Sequence, residues 1–150
     1  MANSWKDLVV WQKAHEMVLE IYRLIKSFPK TETYALGDQI KRAAYSIPAN
    51  IVEGHSKNTK KEFLRYLYIS RGSLEELRYF LLLSKDLRYI TKNRYNDIES
   101  KLTEISYLLN QLIKSLSLTS KTSTTSTTSK TSKTSKTKPS TTSKKSTHAA

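Results

Sequence analysis

Residues 39–54, written QIKRAAYSIPANIVEG, constrain the fold more than any other stretch, because they encode a helix that cannot stand alone. Apolar residues recur there at steps of three and four, which places them on one helical face. Most of that face is small, so a neighbouring helix can come close. Pro48 removes a backbone donor and should kink the helix, and Gly54 should end it in the left-handed conformation. The small-faced helix must therefore be packed between partner helices.

Three further helices supply those partners. One precedes Pro29, one covers residues 60–87, and one begins near residue 91. The last two carry seams that alternate steps of three and four, as in a heptad repeat. The predicted seam residues are Leu8, Trp11, Ala14, Val18, Ile21, Tyr22 and Ile25, then Phe63, Leu67, Ser70, Leu74, Leu77, Leu81 and Ser84, then Tyr95, Ile98, Leu102, Ile105, Leu109, Leu112 and Leu116. The predicted capping residues are Ser4 or Asp7, Thr31 or Thr33, Asn58 or Thr59, and Thr91 or Asn93.

These four helices predict an all-α fold, an up-down-up-down four-helix bundle, because short connections make successive helices antiparallel neighbours. Apolar positions in excess of one seam on the last two helices indicate a second buried surface, of the kind that a subunit interface provides. Gly72, in the middle of its helix, predicts close packing against another backbone. The bundle should occupy residues 1–118.

Residues 119–150 form a second, different region. Of these 32 residues, 21 are Ser or Thr and 7 are Lys, and no large apolar side chain is present. We predict a disordered tail, because nothing in it offsets the entropy of ordering the chain. Two interpretations stay open, a basic arm that contacts phosphates and a solubilising extension.

Charge favours a polyanionic partner. Up to Leu118 there are 19 Lys and Arg against all 13 acidic residues, a net charge of +6, and the tail adds +7. Such a balance is typical of nucleic-acid-binding proteins. The lack of cysteine excludes a disulfide scaffold, and the lack of a long apolar run or a signal-like start predicts a cytoplasmic protein without a membrane partner.

A set of cations interleaved with tyrosines predicts where nucleic acid would bind. Bases can stack on tyrosine rings while phosphates meet the cations. The alternative is a solvated helix face with tyrosines in the core. Within this set Arg71, Arg78 and Lys85 fall seven residues apart and form a basic rim along one edge of the seam. The predicted contact residues are Lys57, Lys60, Lys61, Arg65, Arg71, Arg78, Lys85 and Arg88.

Catalytic and metal-binding patterns are missing from the sequence. The bundle contains only two histidines, His15 and His55, and the glycines are too scattered for a phosphate loop. We therefore predict no enzymatic activity, no metal and no cofactor. Arg42 with Glu53 or Glu76 is instead expected to form a buried polar network that sets helix register.

Two motifs in this order resemble a known family. The patterns QIxRAxxSIxxNIxEG and GSLxEL recur in the bacterial four-helix-bundle proteins encoded in intervening sequences of large-subunit ribosomal RNA genes. The accessory variability determinant of diversity-generating retroelements belongs to the same group. The resemblance covers about residues 5–118, with Ala35, Val52 and Arg78 as departures from the pattern. The matching residues are Gln39, Ile40, Arg42, Ala43, Ser46, Ile47, Asn50, Ile51, Glu53 and Gly54, then Gly72, Ser73, Leu74, Glu76 and Leu77.

The resemblance implies a non-enzymatic helical subunit that assembles into a barrel-like homopentamer with a basic surface. Combined with the charge, it predicts a scaffold that binds nucleic acid, with RNA favoured over DNA, and that does not read base sequence. The alternative is an accessory subunit that binds a reverse transcriptase in a diversity-generating retroelement.

Overall fold

The computed structural model describes the backbone of residues 3–122 and the side chains of residues 3–118. Every regular element in this part of the chain is helical, which confirms the all-α prediction. The four long helices, α1, α3, α4 and α5, form a four-helix bundle in which α3 packs on α1 and α4, and α5 packs on α4 and α1. The elements are a 3₁₀ turn at Trp5–Asp7, α1 at Val9–Ile25, the single turn α2 at Lys30–Thr33, α3 at Leu36–His55, α4 at Lys60–Asp86, and α5 at Lys92–Thr122.

The core follows the predicted seams most closely on α4. Its seven buried residues are the seven that the heptad pattern predicts. On α5 the pattern holds from Ile98 to Leu109 and again at Leu116, but Tyr95 and Leu112 are only half-buried and Ile113 is buried. A straight α-helix has 3.6 residues per turn, so a strict 3.5-residue seam drifts around it over several turns.

The buried face of α1 is rotated from the predicted one. Val10, Met17 and Leu24 are buried, whereas Trp11 is half-buried and Tyr22 is 45% exposed. The predicted seam includes both aromatic residues, but large amphipathic rings often lie at the margin of a core, where one edge stays in water.

Two of the four predicted caps are found. The Thr59 hydroxyl accepts a bond from the Glu62 amide, and the Thr91 hydroxyl accepts one from the Arg94 amide, both at 3.2 Å. Ser4 caps the 3₁₀ turn and not α1. The prediction of Thr31 or Thr33 as a cap of α3 was wrong, because both residues lie in α2 and α3 begins after Ala35 without a side-chain cap.

Gly54 has a different role from the predicted one. No glycine in residues 3–122 has a positive φ, and α3 continues through the buried Pro48 and past Gly54 to His55. A Cβ at Gly54 would lie 2.7 Å from Tyr66 Cβ and 2.8 Å from Phe63 Cδ2. The glycine therefore permits the start of α4 to approach the end of α3.

The polar link between α3 and α4 is made by short side chains. The predicted buried network was wrong, because Arg42, Glu53 and Glu76 are all exposed. The Ser46 and Ser73 hydroxyl oxygens lie 2.8 Å apart and share a hydrogen bond, while the Ser70 hydroxyl donates to the Ile47 carbonyl at 2.9 Å. The Asn50 amide also donates to the Ser46 carbonyl at 2.8 Å. Helices that approach this closely accommodate serine hydroxyls, whereas long charged side chains extend to water.

Glu20 is a buried charge that the sequence analysis missed. It lies on α1 and is 7% exposed. Two cations on α5 neutralise it: Lys101 Nζ lies 2.7 Å from Oε2, and an Arg94 guanidinium nitrogen lies 2.9 Å from Oε1. A buried carboxylate is tolerated only when it is paired, so these contacts hold α1 against α5. The available signal was its position on the apolar face, three residues after Met17 and four before Leu24.

The last helix is longer than predicted. The predicted bundle ends at residue 118, but the backbone of α5 stays helical to Thr122. The rest of the predicted tail, residues 123–150, lies outside the described residues.

Gly54→Ala should lower the free energy of unfolding by about 1–3 kcal/mol, because the added methyl group overlaps Phe63 and Tyr66. Chemical denaturation followed by circular dichroism measures the change. Asn110→Ala, at an exposed position of α5, serves as the control and should stay within about 0.5 kcal/mol of wild type. Unchanged stability of Gly54→Ala would contradict the close approach of α3 and α4.

Replacing the two cations that pair with Glu20 should lower the free energy of unfolding more than replacing the two cations and Glu20 together. Arg94→Met with Lys101→Met leaves an unpaired buried carboxylate and should destabilise the bundle by about 3 kcal/mol. Adding Glu20→Leu to that double variant should recover most of the loss. Thermal and denaturant unfolding of the double and triple variants test this, and a triple variant no more stable than the double would refute the paired-charge account.

Candidate nucleic-acid-binding surface

The eight predicted contact residues do not form one compact site. They are spread along α4 and its two flanking loops, from Lys57 before the helix to Arg88 after it. Because α4 has 27 residues, it is about 40 Å long. Lys60, Lys61 and Arg65 therefore lie near one end of the bundle, while the remaining cations follow α4 towards the other end.

The three rim cations share one side of α4 with Lys60. Lys60, Arg71, Arg78 and Lys85 are separated by eleven, seven and seven residues, spacings that return to nearly the same side of a helix. Arg78 reaches α5 from that side, since its guanidinium donates to the Thr103 hydroxyl at 3.1 Å. The rim therefore runs along the line where α4 and α5 meet.

Arg78 itself is held by carboxylates. Its Nη1 lies 3.2 Å from Glu75 Oε1, and its Nε lies 3.2 Å from Glu99 Oε1 on α5. The side chain is only 25% exposed. The sequence predicts Arg78 as an added positive charge in the basic rim, but in the structure Arg78 links α4 to α5 and its charge is neutralised.

Two other cations have weaker acidic partners. Lys85 Nζ lies 3.3 Å from Asp86 Oδ1, and Lys57 Nζ lies 3.6 Å from Glu53 Oε1. Both acids are more than half exposed, and ion pairs in such positions contribute little and exchange readily. Such pairs leave Lys85 and Lys57 available to another anion.

Five of the predicted residues have no acidic partner. Within residues 3–118, the exposed side chains of Lys60, Lys61, Arg65, Arg71 and Arg88 form no ion pair. Arg88 also has the one positive φ in the described chain, 62°. Their charge is therefore directed to solvent, where a polyanion can approach.

The tyrosines on α4 contact neighbouring cations, and some of their rings are also exposed to solvent. The Arg71 guanidinium lies 4.9 Å from the Tyr68 ring centroid, and Tyr66 has Lys57 at 5.1 Å and Arg65 at 5.3 Å. Tyr66 is half-buried beside Gly54, so it belongs to the packing of α3 on α4. Tyr68 and Tyr79 are 46% and 59% exposed and remain accessible to a base.

Helix α5 contributes residues that the sequence analysis did not select. Tyr107 and Lys114 follow Thr103 by four and eleven residues and so share its side of α5, beside α4. Both are exposed. Lys92 joins Lys85 and Arg88 around a surface depression of about 550 Å³ at the turn between the helices. The α4–α5 surface is defined by Lys60, Arg71, Lys85, Arg88, Lys92, Tyr107 and Lys114.

Other kinds of site find no support in residues 3–122. No three His, Cys, Asp or Glu side chains in this range come together as a metal-binding group. The His15 ring stacks on Trp11 at 5.2 Å, and the His55 ring meets Phe63 edge-on at 5.8 Å. None of the helices in the same range is both long and apolar enough to span a membrane.

Comparison with known proteins identifies the family. A family model described as 23S rRNA-intervening sequence protein matches residues 6–111. A crystal structure of a protein of unknown function, from the S23 ribosomal protein family of Bacteroides thetaiotaomicron, is 33% identical to this chain with a TM-score of 0.66. That match covers 71% of this chain and 99% of the other. No curated protein matches the chain. The resemblance seen in the two sequence motifs is confirmed, and the chain belongs to the 23S rRNA-intervening sequence protein family.

Proposed function

We propose that this chain is a non-enzymatic scaffold that binds nucleic acid through the α4–α5 surface. The observation that carries the proposal is the set of exposed cations on this surface, led by Lys60, Arg71 and Arg88, that have no carboxylate partner among the described residues. Each can neutralise a phosphate, and the release of condensed counterions then drives binding.

The shape of the surface favours contact with phosphates over base edges. The cations lie along the line between two packed helices, and no described helix stands clear of the bundle to enter a groove. Contacts to phosphates position a nucleic acid but carry no sequence information. Exposed Tyr107 adds a flat ring on which an unpaired base stacks without regard to its identity. The name of the matching family refers to an RNA sequence, so RNA is the first ligand to test.

Assembly would multiply these contacts. We propose an up-down-up-down bundle that forms a homopentamer, as the family resemblance implies, so that several weak surfaces act on one nucleic acid. The alternative partner is a reverse transcriptase, for which the protein would act as an accessory subunit. No described contact selects for that partner, so nucleic acid remains the leading proposal.

Reversing three unpaired charges should weaken binding and reduce its dependence on salt. For Lys60→Glu with Arg71→Glu and Arg88→Glu in the full chain, we expect the log–log salt slope for single-stranded RNA to become shallower by about 2. The reason is that each lost phosphate contact removes about 0.7 from the slope. Fluorescence anisotropy over a salt series measures both affinity and slope.

The matched control reverses three exposed cations elsewhere, Arg23→Glu with Lys26→Glu and Lys30→Glu. It changes the net charge by the same amount, so it separates a local site from general attraction. If both triple variants lose affinity equally, the α4–α5 surface is not the binding site. If neither loses affinity, the whole proposal for the folded region fails.

Arg71 and Arg78 should separate binding from stability. Arg71→Met should weaken RNA binding and leave the unfolding midpoint nearly unchanged, because its charge has no carboxylate partner among the described residues. Arg78→Met should leave affinity nearly unchanged and destabilise the bundle by about 1 kcal/mol, because it breaks the link to Glu75, Glu99 and Thr103. The reverse pattern in anisotropy and denaturation would contradict these assignments.

A further inference from the structure

No contact within a single chain requires a glycine at position 72. The other two glycines are required by packing, since a Cβ at Gly37 would lie 2.9 Å from Ile25 Cγ2 and one at Gly54 would lie 2.7 Å from Tyr66 Cβ. A Cβ at Gly72 would meet nothing within 4 Å. An exposed glycine in a helix interior costs about 1 kcal/mol relative to alanine. The close packing predicted at Gly72 is therefore not found within a single chain.

The surface around Gly72 is apolar and aromatic. Ile69 and Tyr79 are 42% and 59% exposed, and Tyr68 is 46% exposed. Helical spacing places them with Glu76 on the outer side of α4, away from its buried seam. We define the Gly72 face as Tyr68, Ile69, Gly72, Glu76 and Tyr79. Tyrosines and isoleucine around a small residue are typical of the core of a protein interface.

The charges beside this face are of both signs. Glu76 is exposed and has no ion pair within residues 3–118, and the same holds for Arg65, which lies seven residues before Gly72 on the same side of α4. A nucleic acid over this face would place phosphates against the Glu76 carboxylate. A second copy of the chain offers an arginine to Glu76, so this carboxylate can be paired.

We propose that the Gly72 face is the surface through which copies of this chain contact one another, with a group of the partner subunit seated over Gly72. The proposal rests on the assembly that forms part of the proposed function and places its interface on α4. It leaves the cations of the α4–α5 surface at the edge of the contact, accessible to a polyanion. A glycine at position 72 would then let the partner subunit approach the backbone of α4.

Gly72→Trp in the full chain tests the proposal. The indole ring has open space in one chain but occupies the place of the partner, so the apparent dissociation constant for assembly should rise at least about tenfold. Sedimentation velocity over a concentration series measures the change. Gln111→Trp, at an exposed position on α5, is the matched control and should assemble as wild type does. Circular dichroism checks that both variants keep their helical content.

A second variant covers the case in which Gly72→Trp does not fold. Glu76→Lys changes one exposed charge on the same face and should also weaken assembly. Assembly of either folded variant at wild-type affinity would overturn the proposal, as would a wild-type chain that stays monomeric at every concentration.

The two proposals fail in distinguishable ways. If wild-type protein assembles through the Gly72 face but does not bind RNA, the proposed function fails and the interface stands. If wild-type protein binds RNA while Gly72→Trp still assembles as wild type does, the interface is elsewhere and the nucleic-acid proposal stands. If both hold, monomeric Gly72→Trp should keep RNA binding at reduced affinity, because multivalency is lost.

Discussion

The close approach of α3 to α4 is the constraint on which the rest of the structure depends. Gly54 removes the side chain that would collide with Phe63 and Tyr66, and serine hydroxyls bridge the two helices further along. Interiors are close-packed, so this contact fixes how α4 is rotated about its axis. The packing of α3 on α4 therefore determines which way the exposed groups of α4 point, from the basic rim to the Gly72 face.

Carboxylates then determine which cations remain available. Glu20 takes up two cations of α5, and Glu75 and Glu99 take up Arg78, so these charges hold helices together. Net charge alone does not distinguish them from the exposed cations, because it counts every lysine and arginine alike. The unpaired and weakly paired cations contribute most to a field that attracts nucleic acid.

Predictions that depend only on residues within one helix were accurate. The α4 seam and the Thr59 cap are confirmed, because helical periodicity and capping geometry depend on residues a few positions apart. Prediction failed where the answer depends on a second helix. Gly54 was assigned to a helix end but meets α4, and Arg42 was assigned to a buried network but extends to water. The cations of the candidate surface were identifiable, but not the neutralisation of Arg78.

By itself the sequence determined the helical class, most of the apolar seams and the family. The helices and their seams follow from residue spacing, and the family follows from the order of the motifs. Only the tertiary structure decided which charges are paired, which glycines fill a steric need, and which tyrosines remain exposed. Those properties depend on the distance between side chains that are remote in the chain, such as Glu20 and Lys101, and on how closely α3 and α4 pack. Periodicity within one helix carries no information about such distances.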